Sequence, residues 1–396
     1  MRTLAATCLI LSSATLTTAC LWDYDTLREE RARFPNALEL ITGKFIRHSK
    51  EFYQWRIEDR TKRIAQQPDN VALYDDLAVA YDKTGNQSEA IATIMAKEEL
   101  KPGQYETAAN LGTFHIHAGN LEEGLQHIDR AIEINPDAHF GREIYQKLLV
   151  QYVLKYRTPE NAKLPLYRKH APKSWTGNSH VYFDAERAVA IGFGQFVLEE
   201  RPQANTNAEQ EELQRATKGI LGMMRFGHFD SPVLLEALGT LLLSDANDRD
   251  KDAKQLATRA FLKASQEADD PTAREDYKAM AWGALRGQVK SPTQTDQVSL
   301  ASIERQLSTE VAAADKWFHE NIERDEKTWI AKGKDVEALF DAKYRQNPSQ
   351  PFEPVPLPAG VAALWVGIAI IAATLFFAVI VRFYLRRTTR RQTAAD

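Results

Sequence analysis

The chain of 396 residues reads as an all-α protein: a stacked helical repeat domain (an α-solenoid), then a long amphipathic helix, then a single C-terminal transmembrane helix. Three observations predict this class. Two segments between Val71 and Pro136 match at a shift of 34 residues. Leu300, Ile303, Leu307, Val311, Ala314, Phe318, Ile322 and Trp329 form one apolar stripe at close to helical period. Val361 to Val381 holds 21 residues without a charge. No stretch alternates apolar and polar residues with period two, so no strand is predicted.

The first matching segment runs Tyr74-x2-Leu77-Ala78-x2-Tyr81, Gly85, Ala90-x3-Ile94, Pro102; the second runs Ala108-x2-Leu111-Gly112-x2-His115, Gly119, Gly124-x3-Ile128, Pro136. Residues three, four and seven apart share a helix face, so Tyr74, Leu77, Ala78 and Tyr81 form one apolar strip. The small Ala78 and Gly112 admit a close second helix. Gly85 and Gly119 suit the left-handed conformation that ends a helix. Asn86 to Glu89 and Asn120 to Glu123 read as capping signals for the next helix, and Pro102 and Pro136 stop it.

This pattern resembles the tetratricopeptide repeat, a helix–turn–helix unit of about 34 residues. The resemblance implies stacked hairpins whose first helices line a concave surface, and work of one class: holding a protein or peptide. It leaves the partner open. A single pair cannot bury its apolar face, so further helices must stack on it.

From its start, residues 1–19 read as a signal peptide, with Arg2 as the positive end, Leu4 to Leu16 as the apolar run and Thr17-Thr18-Ala19 before the cleavage point. Cys20 follows, as in a bacterial lipoprotein signal, where that cysteine is lipidated; Thr17 departs from the usual leucine, and ordinary cleavage is the alternative. The only other cysteine, Cys8, leaves with the signal, so the mature chain has no internal disulfide and no cysteine metal site. Residues 20–67 are charged and helix-prone and form an N-terminal cap, with Arg56, Arg60 and Arg63 on an outer face toward water. Residues 68–156 carry the repeats and a further helix from Ala138 to Tyr156. The proline-rich, basic stretch 157–180 is an irregular connector. A second helical block, 181–290, contains a degenerate repeat: Leu235-x2-Leu238-Gly239-x2-Leu242 with Ala257-x3-Phe261.

The stripe places an amphipathic helical stalk over 299–346. Glu310 and Asn321 break a coiled-coil seam, so it either packs on the repeat domain or stands as a membrane-proximal stalk. Residues 347–360 are a proline-rich spacer. The uncharged run 361–381 is long enough to span a bilayer of about 30 Å. The tail, 382–396, has five arginines against the single Asp396. The positive-inside rule puts it in the cytoplasm and everything before the span outside, as the signal peptide does. The expected location is the bacterial inner membrane, with the folded part extracytoplasmic or periplasmic. The total charge of −4 leaves that part acidic, which argues against nucleic acid.

Motifs for catalysis are missing: there is no Gly-x-Ser-x-Gly elbow and no phosphate loop. His319-Glu320-x-x-Glu323 lacks the second histidine of a metalloprotease helix and reads as a solvated charged face. His115-x-His117 points to different faces; His115 takes the core-facing place of Tyr81 and reads as a satisfied core histidine. No cofactor and no metal are expected. What survives is the face of the first helices turned from the repeat core: Ala72, Asp75, Asp76, Val79, Asp82 and Lys83, then Glu106, Ala109, Asn110, Thr113, Ile116 and His117. Its three aspartates oppose a carboxylate ligand and suit a basic or polar protein segment. The expected function is a membrane-anchored, non-catalytic interaction scaffold. The alternatives are a cell-envelope hydrolase with a site between the helical blocks, or a component of an envelope transport or assembly complex.

Overall fold

The computed structural model describes residues 35–136, 138–156, 164–166, 192–245, 251–285 and 299–345. The signal segment with Cys20, most of the connector, the proline-rich spacer, the Val361–Val381 run and the arginine tail lie outside the described residues. All regular structure among the described residues is helical. None of these helices is long and apolar enough to cross a membrane. The chain divides into Met1–Phe340 and Asp341–Asp396. The second unit is described only at its first turn, where Arg345 donates to Asp341 at 2.7 Å.

Helices α1 (Ala37–Thr42) and α2 (Lys50–Gln66) precede the two matching hairpins. The hairpins are α3 (Ala72–Lys83) with α4 (Gln87–Leu100), and α5 (Tyr105–His117) with α6 (Leu121–Ile134). Both turn in the same way. The Gly85 N–H donates to Asp82 O at 3.0 Å and the Asn86 N–H to Tyr81 O at 2.9 Å. Thirty-four residues later, Gly119 donates to Ile116 O and Asn120 to His115 O. This pair of bonds is the Schellman closure, which needs a left-handed residue; both glycines have φ of 87°. Asn86 and Asn120 stand at the N-caps, but neither side chain makes a cap bond. The turn backbone already fixes the entry to each second helix, so the expected capping box is absent.

Gly112 sets the spacing within the second hairpin. A Cβ there would lie 2.6 Å from Ile128 Cδ1, and one at Gly124 would lie 2.6 Å from Ile116 Cγ1. Leu77 and Leu111 are buried, as the periodicity requires. A 3-10 turn, Ala138–Gly141, breaks what the sequence suggested as one helix, and α7 (Arg142–Tyr156) follows. The second block contains α8 (Phe193–Glu200), α9 (Thr206–Phe226), α10 (Pro232–Asp245), α11 (Lys251–Glu267) and α12 (Pro271–Leu285). Here Gly239 of α10 makes room for the Phe261 ring of α11, so the degenerate repeat packs as a hairpin too. The largest apolar cluster joins α7 and α9 to α12, with Tyr152, Met223, Leu238 and Phe261 at most 2 % exposed.

The amphipathic stripe forms α13 (Leu300–Phe318), a π turn (His319–Glu323) and α14 (Arg324–Ala331), ending at Gly333 with φ of 57°. It packs on the folded unit and is no free stalk over this range: α13 lies against α1, α11 and α12, and α14 against α2. Ile303, Leu307, Ala314 and Ile322 are buried. Glu310, which spoils a coiled-coil seam, is buried against Arg259 at 3.1 and 3.3 Å. Glu326 accepts from the Ser49 N–H at 2.9 Å and bonds His48 Nδ1 at 2.6 Å. A last short helix, α15 (Val336–Phe340), completes this unit.

The outer face expected of the N-terminal cap is corrected by its burial. Arg56 and Arg60 are 0 % and 2 % exposed. Glu337 of α15 holds both, at 2.8 and 2.5 Å, and Asp76 of α3 holds Arg60 at 2.9 Å. A cation can be buried where carboxylates replace its water, and α15 brings that carboxylate from far along the chain. Arg63 alone of the three stays exposed.

Candidate functional site: the inner face of the repeat helices

The face singled out from sequence is largely enclosed, contrary to expectation. Ala72 is exposed, and Lys83 and Glu106 are half-buried. Asp75, Asp76, Val79, Asp82, Ala109, Asn110, Thr113, Ile116 and His117 are all buried. Helix α3 packs against α2, α4 and α5 at once, and Leu73 to Ala80 are buried without a break. A helix enclosed on all sides has no free polar face. Val79 joins a core with Ala78, Ala90, Ile94, Leu111 and Phe114. Ile116 fills the space left by Gly124, so it faces its partner helix.

The polar members are held by the chain itself. Lys97 of α4 donates to both oxygens of Asp75, at 2.8 and 2.7 Å, and Asn110 Nδ2 donates to the same carboxylate at 3.2 Å. Burial still pushes Asp75 up to about 7 against the pull of Lys97. Thr113 accepts from Gln146 Nε2 of α7 at 3.1 Å. Burial would raise Asp82, yet the adjoining His117, with His228 and Lys83, holds it below the usual carboxylate range.

One segment covers this face: the turn between α9 and α10. Lys83 Nζ donates to the carbonyls of Phe226 and Gly227 at 2.7 and 2.6 Å. His117 Nδ1 sits 2.8 and 2.9 Å from the two oxygens of Asp82. His228 meets His117 edge-on, with ring centroids 5.2 Å apart. Burial, then His117 and Lys83, push His228 down to about 3, so it is neutral near pH 7. Phe229 packs edge-on to Phe45 at 5.4 Å and under the Arg47 guanidinium at 4.8 Å. Since Asp82 is ionised, Nδ1 of His117 carries the proton, and its buried Nε2 has no hydrogen-bond partner. The arrangement grips a peptide: a lysine on successive carbonyls and a carboxylate orienting an imidazole.

Two other sequence readings are settled by geometry. His319 pairs with Glu323 on an exposed helix surface, where Lys327 also reaches Glu323 at 2.6 Å and Glu51 at 2.9 Å; the motif is a charged face. His115 is buried, but its Nδ1 makes no hydrogen bond, so it is not a satisfied core histidine. His127, for which the sequence gave no geometric relation, stacks on it at 5.3 Å. The missed signal lay in the repeat itself: where the first hairpin has Tyr81 and Thr93, the second has His115 and His127.

No family model matches the chain, and no curated protein matches it.

Proposed function

We propose that this chain is a membrane-anchored, extracytoplasmic interaction scaffold of tetratricopeptide-like repeats that holds a polar protein segment and performs no catalysis. The observation that carries this reading is the grip of α3 and α5 on the Phe226–Ser231 turn. Lys83 reads two main-chain carbonyls, which any peptide offers, and Asp82 orients the imidazole of His117 beside a second histidine. The face from Ala72 to Lys83 and Glu106 to His117 is thus a peptide-holding surface, occupied by the chain's own turn. A partner's basic or polar segment takes that place when the turn is displaced. The membrane attachment rests on the Val361–Val381 run and its flanking arginines.

The test uses the full chain in native membranes, with crosslinking followed by identification of what is attached. Lys83→Met with His228→Ala loosens the turn without adding charge. A stoichiometric partner whose recovery changes at least several-fold in this variant supports the reading. Equal recovery with the same thermal melt removes this face from the binding site. Turnover of a cell-envelope polymer by the purified chain would replace the scaffold with the hydrolase alternative.

A further inference from the structure

We propose that His115, Glu123 and His127 form a binding site for a divalent transition-metal ion of the zinc class, on the outer side of the second hairpin. This proposal stands apart from the peptide-holding face, which uses other residues. His115 lies in the last turn of α5; Glu123 and His127 lie four apart on α6, one helical turn from each other on the same side. One ligand atom from each residue can be chosen so that all three lie within 4.8 Å of one another.

Four observations support the assignment. His115 is 8 % exposed, and its Nδ1 has no hydrogen-bond partner although it is enclosed. That nitrogen points at the carboxylate, 3.3 Å from Glu123 Oε2. Two ligands of a tetrahedral ion at bond lengths of about 2.0–2.1 Å stand roughly 3.3–3.4 Å apart, so this pair already has the spacing of a coordination edge. The two imidazoles lie nearly parallel, 12° between planes, and His127 must turn only its own side chain to close the third contact.

The charges agree with a cation. Burial and the neighbouring His115 lower His127, so its lone pair is free near pH 7, while Glu123 and Glu98 face it as carboxylates. Glu98, from α4, accepts the Gly103 N–H at 2.8 Å and supplies negative charge from beyond the cluster. Glu123 is exposed, which gives the ion an entry path and leaves a position for water. Two histidines and a carboxylate are the donor set that zinc takes when it keeps an open position.

The first hairpin is an internal control. It keeps the glutamate as Glu89 but has Tyr81 and Thr93 in place of the two histidines. The hairpin therefore packs without either imidazole, and both changed together at facing positions. Packing alone does not call for that pair.

The experiment uses tag-free, full-length protein stripped with a chelator and titrated with Co²⁺, then Zn²⁺. The expected result is one equivalent bound, with the visible absorption of tetrahedral cobalt, displaced by zinc. His115→Tyr with His127→Thr installs the first hairpin's residues and should keep the melt while weakening affinity more than about 100-fold. Glu123→Gln, at an exposed position, gives the same test should the double change disturb folding. His228→Ala should leave binding intact. The proposal is overturned by no saturable binding, by unchanged affinity in the folded His115/His127 or Glu123 variants, or by loss of binding only in His228→Ala.

Discussion

Asp75 and Asp82 are carboxylates buried in a helix core, each tied to a cation or imidazole of this same chain. Changing both to lysine would set a cation against Lys97 at one site and against Lys83 and His228 at the other. We expect the Asp75→Lys, Asp82→Lys chain to lose well over about 4 kcal/mol, the range reached only when buried charge pairs break, and to show no cooperative circular-dichroism melt. A melt close to the parent's would mean that this face is open to water. His228 gives a pH dependence. Its folded-state value, about 3, lies below the ordinary 6.5. As pH falls through 6.5 the unfolded chain takes up a proton that the folded chain refuses until about 3, so stability drops across that window. The groups facing His228 are His117 and Lys83, which oppose its protonation, and Asp82, which favours it. In His228→Gln the melting temperature should fall less steeply between pH 6.5 and 3 than in the parent. An identical slope would show that His228 titrates as it does in water.

At the scale of elements, α13 is fastened to α11 by Arg259 and Glu310, whose side chains are 7 % and 5 % exposed. Glu310→Ala would leave a buried guanidinium without its carboxylate, a change that costs about 3–5 kcal/mol. Arg259→Met with Glu310→Leu should recover most of that loss, because an apolar pair of similar volume needs no counter-charge. Chemical denaturation of the three proteins measures both numbers; a silent Glu310→Ala would place the helix off the domain. The two hairpins show how far periodicity reaches at this scale. Leu77, Leu111, the φ of 87° at Gly85 and Gly119, and the helix ends before Pro102 and Pro136 all follow from the 34-residue match. The capping role of Asn86 and Asn120 does not, because the turn backbone supplies the bonds that their side chains were expected to make.

For the whole molecule, the proposed topology has a direct measurement. A reporter active only outside the cytoplasm should be active when fused after Asn347 and silent after Thr393. Activity at the second position would remove the single-span reading. The hydropathy of Val361–Val381 and the arginines that follow it carry this expectation.

The sequence by itself determined the all-helical class, the register of the two hairpins, the glycines at their turns and close contacts, and the apolar stripe of α13. These are local: each depends on residues within one or two helical turns, where spacing and backbone sterics decide. Only the tertiary structure decided what covers the other side of α3 and α5. Arg56 and Arg60 read as water-facing because Glu337, which neutralises them, lies some 280 residues away. Asp82 and His117 read as a groove because the turn that encloses them, Phe226 to Ser231, belongs to another helix pair. Periodicity tells which residues share a face; whether that face meets water depends on distant partners, and ion pairing lets charged residues be buried where hydropathy alone would leave them exposed.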